Sequence, residues 1–253
     1  MIKSDNEVKL MRESAKILAE VLTVLESAVA PGVTSNELDR LAYELITKYK
    51  AKPSFLGYKP AGAGKPFPAT ICASNNEVVV HGVPDDKPLK EGDVFSVDCG
   101  VYLNGFHSDS ALTVIVGGKS DNPNVKKLLE VTNQALLNAI NEVREGSTTG
   151  DLGYVIEQTI KPTGFSIVSG LTGHGIGKNI HEEPTIFNQG KRGAGMKLRA
   201  NMVIAIEPMV SLGSPHIYQT TEDGYATEDN SIAAHFEHTI LVTEDGSEVL
   251  TKR

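Results

Sequence analysis

Apolar residues recur at helical spacing from Val8 to Val29, at Leu10, Met11, Ile17, Leu18, Val21, Leu22 and Leu25, and the run stops near Ala30-Pro31-Gly32. This predicts an amphipathic helix. Thr34 or Ser35 then reads as an N-cap, with Glu37 and Asp39 in the first turn of a second helix reaching about Tyr49. Proline and glycine crowd residues 53–68 and exclude regular structure there, so Phe55, Tyr58 and Phe67 belong to a loop, where they either tack it to the surface or line a pocket. Ile71 to His81 predicts a strand and a turn. From Asp93 to Val116, two runs rich in β-branched and aromatic residues flank Asn104-Gly105, the strongest short-range signature of a two-residue hairpin.

In that hairpin Asp98 faces Ala111 and Gly100 faces Asp109, so all four share one side of the ribbon. Asp98 and Asp109 become diagonal neighbours, roughly 7–8 Å apart at Cα. Two carboxylates at that separation repel unless a proton or a cation lies between them. The hairpin alone also admits a plainer reading, with one Asp solvated at a strand end and the other capping a turn.

The second half of the chain repeats the order of the first. Another amphipathic run, Val125 to Val143, is followed by Gly146-Ser147-Thr148-Thr149-Gly150-Asp151-Leu152, which echoes Gly32-Val33-Thr34-Ser35-Asn36-Glu37-Leu38. Leu198 to Glu207 echoes Leu89 to Asp98, and Glu237 to Val242 echoes Asp109 to Val114. A duplicated helix-helix-strand unit follows, with half-repeats of about 1–118 and 119–253 in a single domain. The echo pairs Asp98 with Glu207 and Asp109 with Glu237. Four carboxylates related in this way are hard to reconcile with four independent surface acids.

His174 lies among Gly170, Gly173, Gly175 and Gly177, which allow a tight loop to present its imidazole, and His181 follows seven residues later. Four carboxylates and one imidazole form a mostly hard donor set suited to divalent Mn, Fe, Co or Zn, and four carboxylates neutralise two such ions. A metal pair sharing a water is equipment for hydrolysis.

Composition narrows the remaining classes. The chain has 253 residues, 40% hydrophobic and 22% charged, enough for a substantial core. A formal net charge of −8 carries no basic excess for nucleic acid or anionic membrane. The opening MIKSDNEVKLMRES lacks the basic flank and apolar run of a signal peptide, so a cytoplasmic protein without a membrane span is expected. Cys72 and Cys99 make neither a disulfide framework nor a CxxC metal motif, and each reads as a small buried or pocket-lining residue.

The set DCGVYLNGFHSD, GHGIGKNIHEEP, AIEPMV and FEHT resembles the M24 pita-bread metallopeptidases, specifically the type I methionine aminopeptidases, over nearly the whole chain. The resemblance implies an α/β fold, a curved antiparallel sheet backed by helices, with the site between two pseudo-twofold halves. It implies Asp98, Asp109, His174, Glu207 and Glu237 as metal ligands, Asp109 and Glu237 bridging, and Glu207 as general acid and base. His81 is placed by it near the scissile amide and His181 as a donor to the carbonyl. It also implies a methionine pocket of Phe55, Tyr58, Phe67, Cys72, Ile180 and Tyr225. The substrates implied are N-terminal Met peptides and nascent chains with a small second residue, met by a monomer near the ribosome.

This chain departs from the family pattern in three places. Tyr225 stands where bacterial relatives often carry Trp, Ala233 stands where a monovalent-cation site in some relatives uses Ser, and residues 62–65 look like an insertion. Proline-specific M24 enzymes and non-catalytic pita-bread binding modules are the competing readings.

Overall fold

The computed structural model describes residues 1–59, 64–221 and 223–253. The expected insertion therefore lies partly outside the described residues, at 62 and 63. Four long helices, α1 (Asp5–Ala28), α2 (Ser35–Lys48), α3 (Pro123–Glu142) and α4 (Thr149–Ile160), pack against antiparallel strands.

The first helix begins three residues earlier than its apolar periodicity suggested. Ser4 closes a capping box with Glu7: the Glu7 N–H donates to Ser4 Oγ at 3.3 Å and the Ser4 N–H to Glu7 Oε2 at 2.9 Å, satisfying two of the orphan donors of the first turn. Thr34 and Glu37 make the same box at α2, and Thr148 and Asp151 at α4. Asp39 is not part of the first turn of α2. It accepts instead from the N–H groups of Thr70 and Ile71 at 2.7 and 3.0 Å, pinning α2 to the strand that begins there.

The hairpin follows the expected register, with strands Val94–Leu103 and Phe106–Ile115 pairing Leu103 with Phe106, Gly100 with Asp109 and Asp98 with Ala111. Asn104 (φ 51°) and Gly105 (φ 92°) both occupy the left-handed region that a tight hairpin turn of this kind needs. Strand Ile71–Asn75 lies along the other edge of Val94–Leu103. The expected strand and turn of 71–81 divides into Ile71–Asn75 and Val78–Val80, because Asn76 turns the chain at φ 54°.

The echoed segments make matching contacts. The Gly32 N–H donates to Leu89 O at 2.8 Å and the Gly146 N–H to Leu198 O at 3.0 Å. Leu89 returns a bond to Val33 O, as Leu198 does to Ser147 O. Behind the hairpin, Leu18, Leu22 and Leu25 of α1 and Leu38 and Ile46 of α2 bury against Val97, Cys99, Val101 and Leu112. In the second half, Leu136, Ile156 and Ile160 bury against Ile186, Ile204, Ile206 and Ile240. Burial of this apolar area is the main stabilising term for both layers.

Strand Phe106–Ile115 joins the two layers. The Glu237 N–H donates to Ala111 O at 3.0 Å, Ser110 Oγ donates to Glu237 O at 2.6 Å, and Thr239 Oγ1 donates to Asp109 O at 2.7 Å. Thr113 Oγ1 donates to His235 O at 2.6 Å and accepts from the His235 N–H at 2.9 Å. Buried hydroxyls thus satisfy backbone groups where the ladders do not run on. Among the described residues no helix is long and apolar enough to cross a membrane.

Candidate metal centre

The ladder of Val203–Ile206 with His238–Val242 ends just before Glu207, and a second ladder, Met209–Ser211 with Ala233–His235, begins just after it. Glu207 and Glu237 occupy the bend between the two. Strand Thr172–Gly175 pairs His174 with Ala205 and so carries the imidazole to the same place. Gly173 and Gly175 are required there, because a Cβ on either would overlap the neighbouring backbone.

Carboxylate oxygens of Asp109 and Glu237 and a ring nitrogen of His174 lie within 4.8 Å of one another. Glu207 Oε1 is 3.5 Å from His174 Nε2. Asp98 lines the same cavity, of about 1050 Å³, from the hairpin. Asp98 Oδ1, Asp109 Oδ1 and Glu237 Oε1 are buried without a hydrogen-bond partner, and a buried orphan polar atom calls for an explanation such as an ion. His174 Nδ1 is 2.9 Å from Gly175 O, which can only accept, so Nδ1 carries the proton and the Nε2 lone pair faces the carboxylates. These donors fit a divalent cation.

Their electrostatics point the same way. Burial, with the charge of Glu207 adding to it, raises Asp98 to about 7. Burial and the neighbouring carboxylates push Asp109 and Glu237 well above the usual carboxylate range. Such a cluster holds protons at neutral pH until a cation replaces them. At Glu207 burial acts upward, but His235, whose Nε2 is 3.5 Å from Oε2, outweighs it and holds the carboxyl below its ordinary value.

Of the other residues singled out in the sequence, His81, His181, Phe55, Tyr58, Phe67, Cys72 and Tyr225 line the cavity. Ile180 does not. It is 2% exposed and packs behind the wall against Phe55 and Cys72. Phe55 and Phe67 meet edge to face at 6.4 Å, and His81 lies 5.8 Å from the Tyr225 ring. His181 stacks edge-on against His174 at 4.5 Å, and its Nδ1 is 2.8 Å from the Tyr58 hydroxyl. Both His81 and His181 open onto the cavity, yet crowding by protein lowers their pKa, that of His181 to about 4, so both are neutral at pH 7. Burial, then the nearby acids, drives the Cys72 thiol well above its ordinary pKa, which removes it as a nucleophile.

The sequence reading missed His235. It is 1% exposed, with Nε2 3.5 Å from Glu207 Oε2 and 4.0 Å from Glu237 Oε2. Sequence spacing gave no clear signal for it, because the strand Ala233–His235 ends there and Glu237 lies beyond, before His238–Val242.

Metallopeptidase family M24 is matched over residues 9–244. The chain belongs to this family. It is 44% identical to a methionine aminopeptidase from Clostridium perfringens, over 99% of this chain and 98% of that one. Solved methionine aminopeptidases superpose over 100% of this chain and 99% of theirs: that of Thermotoga maritima with a TM-score of 0.95 at 39% identity, that of Rickettsia prowazekii with 0.94 at 38%. The architecture is therefore the pita-bread fold expected from the sequence, and the donor cluster of this M24 chain is a divalent-metal site.

Proposed function

We propose that this chain hydrolyses the amide after an N-terminal methionine, releasing that residue from new polypeptides whose second residue is small. The observation that carries the reading is a cluster of Asp109, His174 and Glu237, with Asp98 and Glu207 lining the same cavity beside an apolar wall, in a chain related end to end to methionine aminopeptidases. Asp98, Asp109, His174, Glu207 and Glu237 would hold two divalent ions, Mn2+, Fe2+, Co2+ or Zn2+. Bound there, the ions supply Lewis-acid polarisation of the scissile carbonyl and an acidified water.

The chain's own side chains do the rest. Glu207, ionised at neutral pH, accepts a proton from the attacking water and passes it to the leaving amine. With the Tyr58 O–H donating to His181 Nδ1, the His181 proton resides on Nε2, where it donates to the developing oxyanion. His81 flanks the scissile amide opposite Tyr225. Phe55, Phe67, Cys72 and the supporting Ile180 give the soft apolar surface that a thioether prefers, and Tyr58 closes its rim. The reaction is assigned to one catalytic domain, residues 1–253, with half-repeats of about 1–118 and 119–253. It acts as a cytoplasmic monomer on nascent chains, transiently near the ribosome and without nucleic-acid specificity.

The test is hydrolysis of Met-Ala-Ser, Met-Leu-Ser and Ala-Pro-Ser by metal-free protein reloaded anaerobically with Mn2+, Fe2+, Co2+ or Zn2+. Release of methionine from the first peptide alone is expected. Cleavage only of Ala-Pro-Ser moves the chain to the proline-specific branch, and metal binding without cleavage of any peptide makes it a binding module.

A further inference from the structure

The chain's first residues reach the cavity wall. The Lys3 N–H donates to Asn201 O at 2.8 Å and Ile2 bridges Met202, so the arm before α1 lies along the turn that leads into Val203–Ile206. From there the Lys3 side chain, 6% exposed, runs inward and Nζ donates to Glu182 Oε2 at 2.7 Å. The Met1 ammonium stands 3.9 Å from the same oxygen.

Glu182 follows His181 directly and lines the cavity. Its second oxygen, Oε1, accepts from the Asn179 N–H at 3.1 Å, closing the turn 177–182 that carries His181. The Gly177 N–H donates to Asn179 O at 3.0 Å, and the His107 N–H donates to Gly177 O at 2.8 Å. A Cβ at Gly177 would overlap the Lys3 ammonium, so the glycine makes room for it. Lys178 adds an outer tie to Glu7 of α1 at 3.2 Å. The turn is thus tied to the first seven residues at Lys178 and at Glu182.

A buried ion pair is a poor source of net stability, because desolvation offsets most of its attraction, but it fixes geometry closely. We propose that Lys3 is a positioning residue: through Glu182 it sets the turn 177–182, and with it the reach of the His181 imidazole into the cavity. This rests on the catalytic reading of His181 above.

The experiment compares wild type, Lys3→Met, Lys3→Arg, Glu182→Gln and Lys3→Met/Glu182→Gln as metal-loaded enzymes on Met-Ala-Ser, with hydrogen exchange of the amides of residues 177–182 measured alongside. Lys3→Met is expected to lower kcat by about 10–100-fold with KM within about twofold, the scale for a small misplacement of a reacting group. Lys3→Arg restores most of kcat. The double variant is no slower than Lys3→Met, since both changes break one link. Exchange at 177–182 quickens in Lys3→Met while that of α3 does not. Wild-type kcat in Lys3→Met, additive losses in the double variant, or unchanged exchange at 177–182 each overturns the proposal. If Lys3→Met fails to fold, Glu182→Gln and Lys3→Arg carry the same comparison. A wild type that releases no methionine defeats the catalytic reading instead, and the exchange data still decide whether Lys3 sets the turn.

Discussion

Asp98→Asn in metal-free protein should stabilise the fold at alkaline pH and leave it nearly unchanged at acid pH. Burial and Glu207 raise Asp98 from an ordinary 3.8 to about 7 in the folded chain. The folded state therefore keeps a proton that the unfolded chain has lost. A raised folded pKa gives a contribution fully present below about pH 4 and lost as pH rises through 7, so the wild type weakens across that window. Three pKa units correspond to about 4 kcal/mol at most, and sharing of the proton with Asp109 and access of cavity water reduce this to roughly 2–4 kcal/mol. Asparagine, never charged, escapes the loss. Thermal unfolding in chelator at pH 4 and pH 8 should give Asp98→Asn a Tm advantage of about 4–16 °C at pH 8 and little at pH 4. An advantage equal at both pH values, or a wild type that is the more stable at pH 8, would refute the reasoning. Saturating divalent metal should reverse the order, because only the wild type has the full donor set.

Three further outcomes are expected. Glu237→Gln keeps the shape of the side chain but removes its charge, and should weaken divalent-metal binding at least about tenfold in calorimetry. Tyr58→Phe removes the hydroxyl that fixes the His181 tautomer and should lower kcat on Met-Ala-Ser about 3–10-fold, near 1 kcal/mol, with metal affinity unchanged. Leu18→Ala cuts a fully buried side chain of α1 and should cost about 2–5 kcal/mol in urea unfolding, with metal stoichiometry retained in the folded fraction.

The hairpin was legible because two signals agreed: Asn104-Gly105 supplies the left-handed turn, and alternation along each strand decides which residues share a face. The echo of residues 32–38 in 146–152 coincides with the same local device in both, a capping box at Thr34 and at Thr148. What sequence reading lost was mostly non-local, the start of α1 apart. The start of α1 rests on the polar pair Ser4 and Glu7, ahead of the apolar periodicity that announced the helix. Asp39 faces the chain at Thr70, a partner that spacing along α2 does not reveal. His235 was missed because the bend at Phe236 interrupts the ladder, so its approach to Glu207 depends on how two sheets meet. Ile180 was placed in the pocket by the family resemblance, whereas it is buried with Phe55 and Cys72 and does not line the cavity.

The paired bonds of Thr239, Ser110 and Thr113 across the join have a consequence for the order of assembly. Asp98 and Asp109 arrive on the hairpin, while His174 arrives on a strand, and Glu207 and Glu237 in bends between strands, that follow much later in the chain. A polypeptide emerging from its N-terminus can complete the hairpin and its helices before His174 and Glu237, which form the donor cluster with Asp109, have been made. On the function proposed above, peptide-cleaving power is thereby withheld from every partly made copy of the chain.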